Sequence, residues 1–446
     1  MNVLNFFQLK AHGTTVRTEI VAGLTTFFTM AYIIFVNPAV LATDFAGQPT
    51  GMDPQAVMLA TCVAAAIATA IMGLYAGYPI AQAPGMGNNH LFVSIVMSLT
   101  AAGVAHAWQT ALGMVFISGV TFLLLSLLGV REAIIRALSP SMRAGISVGI
   151  GLFITFIGLR NGGWIVANPG TLVSLNHHVL EAGPMLFVFG FLVMTALHAR
   201  RVTGSILIGI LLSSLIALAF GLVETPRAII GLPTIENPAV FQLDVRSALS
   251  LTFLPFIVML VFTDLFDTIG TLVGVTERAG LIQNNTLPRA KRALMSDAIA
   301  TILGSLLGTS TVTSYIESAS GVEQGGRTGL VGVVVALCFL IALCFSPLIA
   351  VVASYPPITA PALVLVGLFM ASNIQNVAWD DVTEALPAFL IVLGIPLTYS
   401  IADGLALGFL SYPLIKLLAG RVRDMHPLMW GMALVMGAYM VFRHFG

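Results

Sequence analysis

Two stretches decide the fold. One is Pro79-Ile-Ala-Gln-Ala-Pro84-Gly85-Met86-Gly87-Asn88-Asn89-His90; the other, about half the chain further on, is Gly308-Thr-Ser-Thr-Val-Thr313-Ser314-Tyr315-Ile316-Glu317-Ser318-Ala-Ser320-Gly321. Each begins with an extended, helix-breaking run and continues into residues able to form a half-helix. In a membrane, backbone of that kind is tolerated only where protein buries it or where it lines a cavity. Two half-helix N-termini would then face one site, with free backbone N–H groups turned toward a ligand. A glycine-mediated helix crossing, with hydroxyls bonded back to backbone, would also use small residues. It leaves Asn88, Asn89, His90 and Glu317 unexplained in apolar surroundings.

The rest of the chain places these stretches in a bilayer. Of 446 residues, 58% are hydrophobic and only 9% charged, too few to keep the chain in water, so the excess apolar surface faces lipid. The 19 Lys and Arg balance 19 Asp and Glu, leaving no net field to gather nucleic acid. Cys62, Cys338 and Cys344 lie in apolar runs without CxxC spacing and are expected to be inert. Residues 1–10 lack the pattern of a cleaved signal peptide.

Apolar runs long enough for about 30 Å of hydrocarbon fill the sequence. Fourteen are expected, near 19–41, 55–75, 80–99, 109–130, 144–159, 185–198, 204–221, 249–275, 293–307, 313–321, 328–352, 361–371, 385–398 and 401–418. The third and tenth are the broken segments. A further run, 428–442, could span or lie at the interface. Loop cations set the orientation, being retained on the cytoplasmic side. Lys10 and Arg17 precede the first span; Arg131, Arg136 and Arg143 follow the fourth, and Arg200 and Arg201 the sixth. Arg278, Arg289, Lys291 and Arg292 follow the eighth, and Lys416, Arg421 and Arg423 the fourteenth. All fall on one side if the N-terminus is cytoplasmic. Asp380, Asp381 and Glu384 are the exception, acids in an inside loop without a basic residue.

A weak internal repeat is visible: Gly151-Leu-Phe-Ile recurs as Gly367-Leu-Phe-Met, and 205–213 resembles 404–411. Chance matching among Gly- and Leu-rich segments is the alternative. Two halves of seven spans would turn the second copy upside down, the inverted architecture of many secondary transporters.

Acids inside membrane segments cost about 2.5 to 3.5 kcal/mol on insertion scales, so each needs a reason. Asp264 and Asp267, in Val261-Phe-Thr-Asp-Leu-Phe-Asp-Thr-Ile-Gly270, sit at i, i+3 on neighbouring helix positions, and Glu317 is the third such acid. Neither the eighth nor the tenth span holds a Lys or Arg to neutralise them. Protonation or ligand contact is therefore favoured over a buried ion pair, although one of Asp264 and Asp267 could face a loop. His90 could contact a ligand or bond a carbonyl of the broken segment. His177 and His178 fall in an outside loop with no Cys or carboxylate at metal-ligand spacing, so no metal site is expected. There is no Walker A, HExxH or GxSxG sequence, and neither an enzyme nor a bound cofactor is expected.

At these residues the chain resembles the AzgA-like purine permeases of the nucleobase-ascorbate (nucleobase:cation symporter 2) transporter superfamily. The resemblance covers nearly the whole chain. It rests on His12-Gly-Thr-Thr-Val-Arg-Thr-Glu19, Ala31-Tyr-Ile-Ile-Phe-Val-Asn-Pro38, Ala83-Pro-Gly-Met-Gly87 with Asn89, Phe266-Asp-Thr-Ile-Gly-Thr271, Tyr315-Ile-Glu-Ser318 and Gly325-Gly-Arg-Thr-Gly329. It implies an all-α, fourteen-segment inverted repeat of seven plus seven spans, with a core domain of spans 1 to 4 and 8 to 11 and a gate domain of spans 5 to 7 and 12 to 14. In residues these are core 1–130 and 247–353, gate 131–222 and 356–418, with 419–446 as a C-terminal apolar segment. It also implies proton-driven purine import across the inner membrane, often by a homodimer. The base-binding residues it carries over are Asn89, Asp267 and Glu317, and Phe266 or Tyr315 could stack on the ring. Where the family reads Met-Gly-Leu-Asn-Ala, this chain reads Met86-Gly87-Asn88-Asn89-His90, so Asn88 and His90 could shift preference among adenine, hypoxanthine and guanine.

The expected function is purine:proton symport by alternating access, with Glu317 and Asp267 binding the base and one of them, alone or together with Asp264, carrying the proton. The rivals are an anion exchanger on the same fold, which acids at the site disfavour, and a non-transporting membrane receptor.

Overall fold

The computed structural model describes residues 6–45, 47–128, 138–226, 228–233, 235, 238–279, 281 and 288–445. Arg131, Arg136 and the expected boundary between residues 130 and 131 lie outside them.

Helix starts follow the capping residues. Thr15 accepts from Thr18 N at 3.2 Å to open α1 (Val16–Met30), which continues into α2 (Ile33–Leu41). Asp53 accepts from Gln55 N at 2.7 Å ahead of Pro54, the first residue of α3 (Pro54–Ile71), which runs on through a π turn, Met72–Ala76. Strand β1 (Gln82–Pro84) and α4 (Met86–Ala101) follow, then α5 (Ala107–Leu128). Ser139 caps α6 (Pro140–Asn161), accepting from Met142 N at 3.2 Å. A hairpin of β2 (Ile165–Asn168) and β3 (Leu172–Leu175) leads to α7 (Ala182–Ala199), α8 (Ser205–Ala219) and the short α9 (Val245–Ala248).

The second part holds α10 (Leu254–Arg278), α11 (Ala290–Leu307), β4 (Val312–Ser314), α12 (Ser318–Glu323), α13 (Leu330–Ala342) and α14 (Ser346–Ala353). It ends with α15 (Pro356–Ala371), α16 (Val382–Thr398), α17 (Ile401–Leu418) and α18 (Leu428–Phe445). The protein is thus a mostly helical polytopic membrane protein, interrupted by two short antiparallel strand pairs.

Among the described residues, seven helical stretches are long and apolar enough to cross a membrane: Val16–Leu41, Pro54–Ala76, Ala107–Leu127, Pro140–Asn161, Ala182–Ala199, Pro356–Asn376 and Ile401–Leu418. The other expected spans are shorter or divided. The run expected over 328–352 breaks between α13 and α14, and the half-helix expected over 313–321 is a strand followed by six helical residues. The run at 428–442 is helical and packs on α17 and α10, where Tyr439 donates to Asp403 Oδ1 at 2.8 Å and meets Phe256 edge to face.

Three sequence expectations change. Arg143 lies inside the first turn of α6 rather than in a loop. Lys416 is 1% exposed within α17 and pairs with Glu384 at 2.8 Å, and Asp381 pairs with Arg421 at 2.8 Å, so two of the three exceptional acids do have cations, brought to them from the other end of the α16–α17 hairpin. His178 has a carboxylate beside it, Glu181 at 3.5 Å, on an exposed turn. Cys62 is buried, Cys344 exposed, and all three cysteines are free.

One apolar core runs from α1 through α6 to α17. At its centre Gly151 on α6 faces Gly367 on α15; a Cβ on Gly151 would lie 2.7 Å from the Gly367 carbonyl oxygen. Only glycine permits that backbone approach.

Candidate functional site

The two broken segments meet directly. Strands β1 and β4 pair antiparallel, with Gln82 opposite Ser314, Ala83 opposite Thr313 and Pro84 opposite Val312. The crossing satisfies backbone groups that lipid would leave unmade: Gly85 N donates to Thr311 O at 3.0 Å and Tyr315 N to Ala81 O at 2.9 Å. Tyr315, expected as a possible stacking ring, spends its hydroxyl on the Pro84 carbonyl at 2.5 Å and so locks the crossing.

Beneath it lies a buried acid that the sequence reading missed. Asp297, on α11, accepts from Gln82 Nε2 at 2.8 Å and Ser314 Oγ at 3.2 Å through Oδ1, and from Thr268 Oγ1 at 2.6 Å through Oδ2. Thr268 also bonds the Thr313 hydroxyl at 2.9 Å. One carboxylate therefore ties β1, β4 and α10 together. The available signal was an Asp in the apolar run 293–307.

Asp267, next to Thr268 in the chain, is exposed although it lies midway along α10. A Cβ placed on Gly85 would be 3.3 Å from Asn88 Nδ2 and 3.5 Å from Asp267 Oδ2, so both groups crowd this backbone. Asn88 is 2% exposed and its Nδ2 has no hydrogen-bond partner. Glu317, at the start of α12, is half-buried, and Tyr32 donates to its Oε1 at 2.7 Å. Tyr32 falls in the quoted Ala31–Pro38 motif but carried no expectation of its own.

The remaining expected residues sit elsewhere. Asn89 is fully buried and its Oδ1 accepts from Ser310 Oγ, which joins α4 to the approach of the second broken segment. Asp264 is 1% exposed and accepts from Thr301 Oγ1 at 3.2 Å. Three residues turn a helix by about 300°, leaving roughly 60° between Asp264 and Asp267, enough to bury one and expose the other. His90 donates from Nδ1 to Met86 O at 2.8 Å, stacks on Phe45 at 6.3 Å and meets Phe153 edge-on at 6.1 Å. It faces an aromatic cluster, and none of its described contacts is with Asp267 or Glu317. The side chain of Phe266 lies outside the described residues. Among the described residues, no group of three His, Cys, Asp or Glu could hold a metal.

The two other quoted motifs meet each other. Glu19, fully buried, accepts from Arg327 N at 2.9 Å, Thr328 N at 3.2 Å and Thr328 Oγ1 at 2.7 Å. It thereby holds the turn that opens α13.

A site of this kind, two acids and an amide around glycine backbone, can exchange hydrogen bonds with a flat heterocycle carrying both donors and acceptors. Known proteins resemble the chain over nearly its whole length. The chain is 45% identical over 444 residues to guanine/hypoxanthine permease PbuG of Bacillus subtilis, covering 98% of this chain and 99% of that one. It is 43% identical over 421 residues to adenine permease AdeQ of Escherichia coli, covering 94% and 92%. Among solved structures, the transmembrane domain of the cyanobacterial bicarbonate transporter BicA matches with a TM-score of 0.64 at 16% identity, over 88% of this chain and 97% of that one, which establishes a shared fold. A family profile described as "Permease family" matches residues 17–407. The chain belongs to this permease family, within the nucleobase-ascorbate transporters, and is a membrane transporter rather than an enzyme.

Proposed function

We propose that the protein imports a purine base, adenine or hypoxanthine and guanine, by proton symport. The observation that supports this is the β1–β4 crossing, with Asn88 and Asp267 beside Gly85 just past β1 and the Glu317–Tyr32 pair three residues past β4. Ring N–H groups of a purine donate to Asp267 and Glu317, and its acceptor nitrogens take Asn88 Nδ2 or backbone N–H. Neutralising an acid on binding makes proton uptake and base uptake one event. Relatives named as adenine and guanine/hypoxanthine permeases support the substrate class.

In this reading fourteen segments form two inverted halves. A core (1–130 and 247–353) carries the site, and a gate (131–222 and 356–418) rocks against it in an inner membrane with the N-terminus cytoplasmic. The mutual packing of Gly151 and Gly367, equivalent positions of the two halves, supports the repeat. Association as a homodimer also belongs to this reading. Since BicA carries an anion, anion exchange is the second reading, and the unneutralised acids at the crossing oppose it.

The test is uptake of radiolabelled adenine, hypoxanthine, guanine, xanthine and uracil into proteoliposomes under an inward proton gradient, with and without a protonophore. Gradient-dependent uptake of one or two purines is expected, and Glu317→Gln should abolish it. Bicarbonate flux with no base uptake would overturn the reading.

A further inference from the structure

We propose that the cavity at the start of α6 and α16 is a second binding site, one for a zwitterionic aminophosphate such as the headgroup of an ethanolamine phospholipid. The cavity encloses about 470 Å³ and is lined by Ser139, Ser141, Arg143, Glu384, Tyr412 and His426. It lies at the N-terminal ends of α6 and α16, and none of its lining residues belongs to the strand crossing.

Its walls carry two unmet groups of opposite kind. Glu384 Oε1 accepts from Lys416 Nζ at 2.8 Å and from Tyr412 OH at 3.0 Å, whereas Oε2 is buried without a donor. Arg143 Nε is buried without an acceptor. A buried ion pair such as Lys416–Glu384 repays its desolvation only when the remaining lone pairs and protons are also satisfied. Here one of each is left over, on two residues that line the same cavity. A ligand with an anionic acceptor at one end and an ammonium donor at the other completes both.

The chemistry narrows the class. The N-terminus of the 22-residue α6, with Ser139 as its cap, adds positive potential beside Arg143 and suits a phosphate there. Asp424 also borders the cavity, its charge already engaged by Arg421 at 2.8 Å. Two carboxylates repel a dianionic phosphomonoester. A neutral heterocycle leaves Arg143 without the charged acceptor that a guanidinium binds best. A phosphodiester joined to a primary ammonium meets both ends. Such a group exists in the membrane as a phospholipid headgroup and in solution as glycerophosphoethanolamine.

The test uses the delipidated full-length protein, incubated with vesicles of phosphatidylethanolamine, phosphatidylcholine or phosphatidylglycerol, with retained lipid read by native mass spectrometry. Phosphatidylethanolamine should be retained roughly tenfold over phosphatidylcholine, whose quaternary nitrogen has no N–H for Glu384. Arg143→Gln should lower retention of all three phospholipids, since each carries the phosphate, and Arg143→Lys, which keeps the charge, should lose less. Glu384→Gln should bring the two lipids level. Excess glycerophosphoethanolamine that displaces the lipid would assign the site to the headgroup alone; failure to displace it, with the preference intact, would assign it to the whole lipid. Equal retention of all three lipids, or retention undiminished in a folded Arg143→Gln protein, would overturn the proposal.

Discussion

Gln82 Nε2 donates to Asp297 Oδ1 at 2.8 Å across 215 positions of sequence, and the same carboxylate receives Ser314 and Thr268. Because Gln82 and Ser314 are opposite one another in the β1–β4 pair, Asp297 fixes the register of the crossing that carries the site. Asp297→Ala should orphan three buried donors, at about 1 to 3 kcal/mol each. The expected outcome is a thermal midpoint several degrees lower and loss of base uptake. Asp297→Asn keeps the shape and two of the acceptor contacts and should be the milder change. Equal midpoints for Asp297→Ala and the parent would sink this account.

Why Asp297 was not legible in the sequence is instructive. It lies close after Arg289, Lys291 and Arg292, so by position alone it reads as the wet end of a helix. Only the register of α11 against β1 and β4 shows that it turns inward. The broken segments were legible, because Pro and Gly announce interrupted backbone whatever the neighbours do. The contact of Gly151 with Gly367 was not, since the sequence offered only a four-residue resemblance between their segments. Side-chain direction was not: Asn88 and Asn89 are adjacent, yet Asn88 approaches Gly85 and Asn89 turns to Ser310. Spacing along one helix cannot separate them, since what Asn89 meets lies 221 positions away.

Tyr32 sets the position of Glu317. Its hydroxyl donates to Oε1 at 2.7 Å, and hydrogen bonds to a charged group contribute roughly 1.5 to 3 kcal/mol. Tyr32→Phe removes the donor and little volume. The base KM should rise about tenfold or more while the thermal midpoint barely moves, since each 1.4 kcal/mol is a factor of ten. Competition by unlabelled purine reads the change. An unaltered KM would mean that Glu317 is held by other contacts.

Gly85 has no room for a side chain. A Cβ there would stand 2.6 Å from Thr313 Cγ2, with Asn88 and Asp267 just beyond. Gly85→Ala must therefore push β4 from β1 or displace the polar pair, and uptake should fall by at least tenfold. Gly431→Ala on α18 is the control, because nothing lies within 4 Å of its Cβ position. Uptake should be unchanged there, and equal losses at the two positions would show that the effect is not specific to the crossing.

Glu19 tests whether the two glycine- and threonine-rich motifs act as one unit. Its carboxylate is fully buried and receives two backbone N–H groups, of Arg327 and Thr328, and the Thr328 hydroxyl. Glu19→Ala leaves all three donors without an acceptor and frees the turn that starts α13, at a cost of several kcal/mol on the same scale of about 1 to 3 per buried group. Glu19→Gln keeps one carbonyl oxygen and the side-chain volume but presents an amide N–H to a neighbouring donor. The Ala variant should be the less stable of the two, and both should fall below the parent in thermal midpoint. Base uptake per folded molecule should persist in each, because Glu19 touches neither Asp267 nor Glu317 among its described contacts. Loss of uptake in a variant that keeps the parental midpoint would instead place Glu19 in the transport step itself.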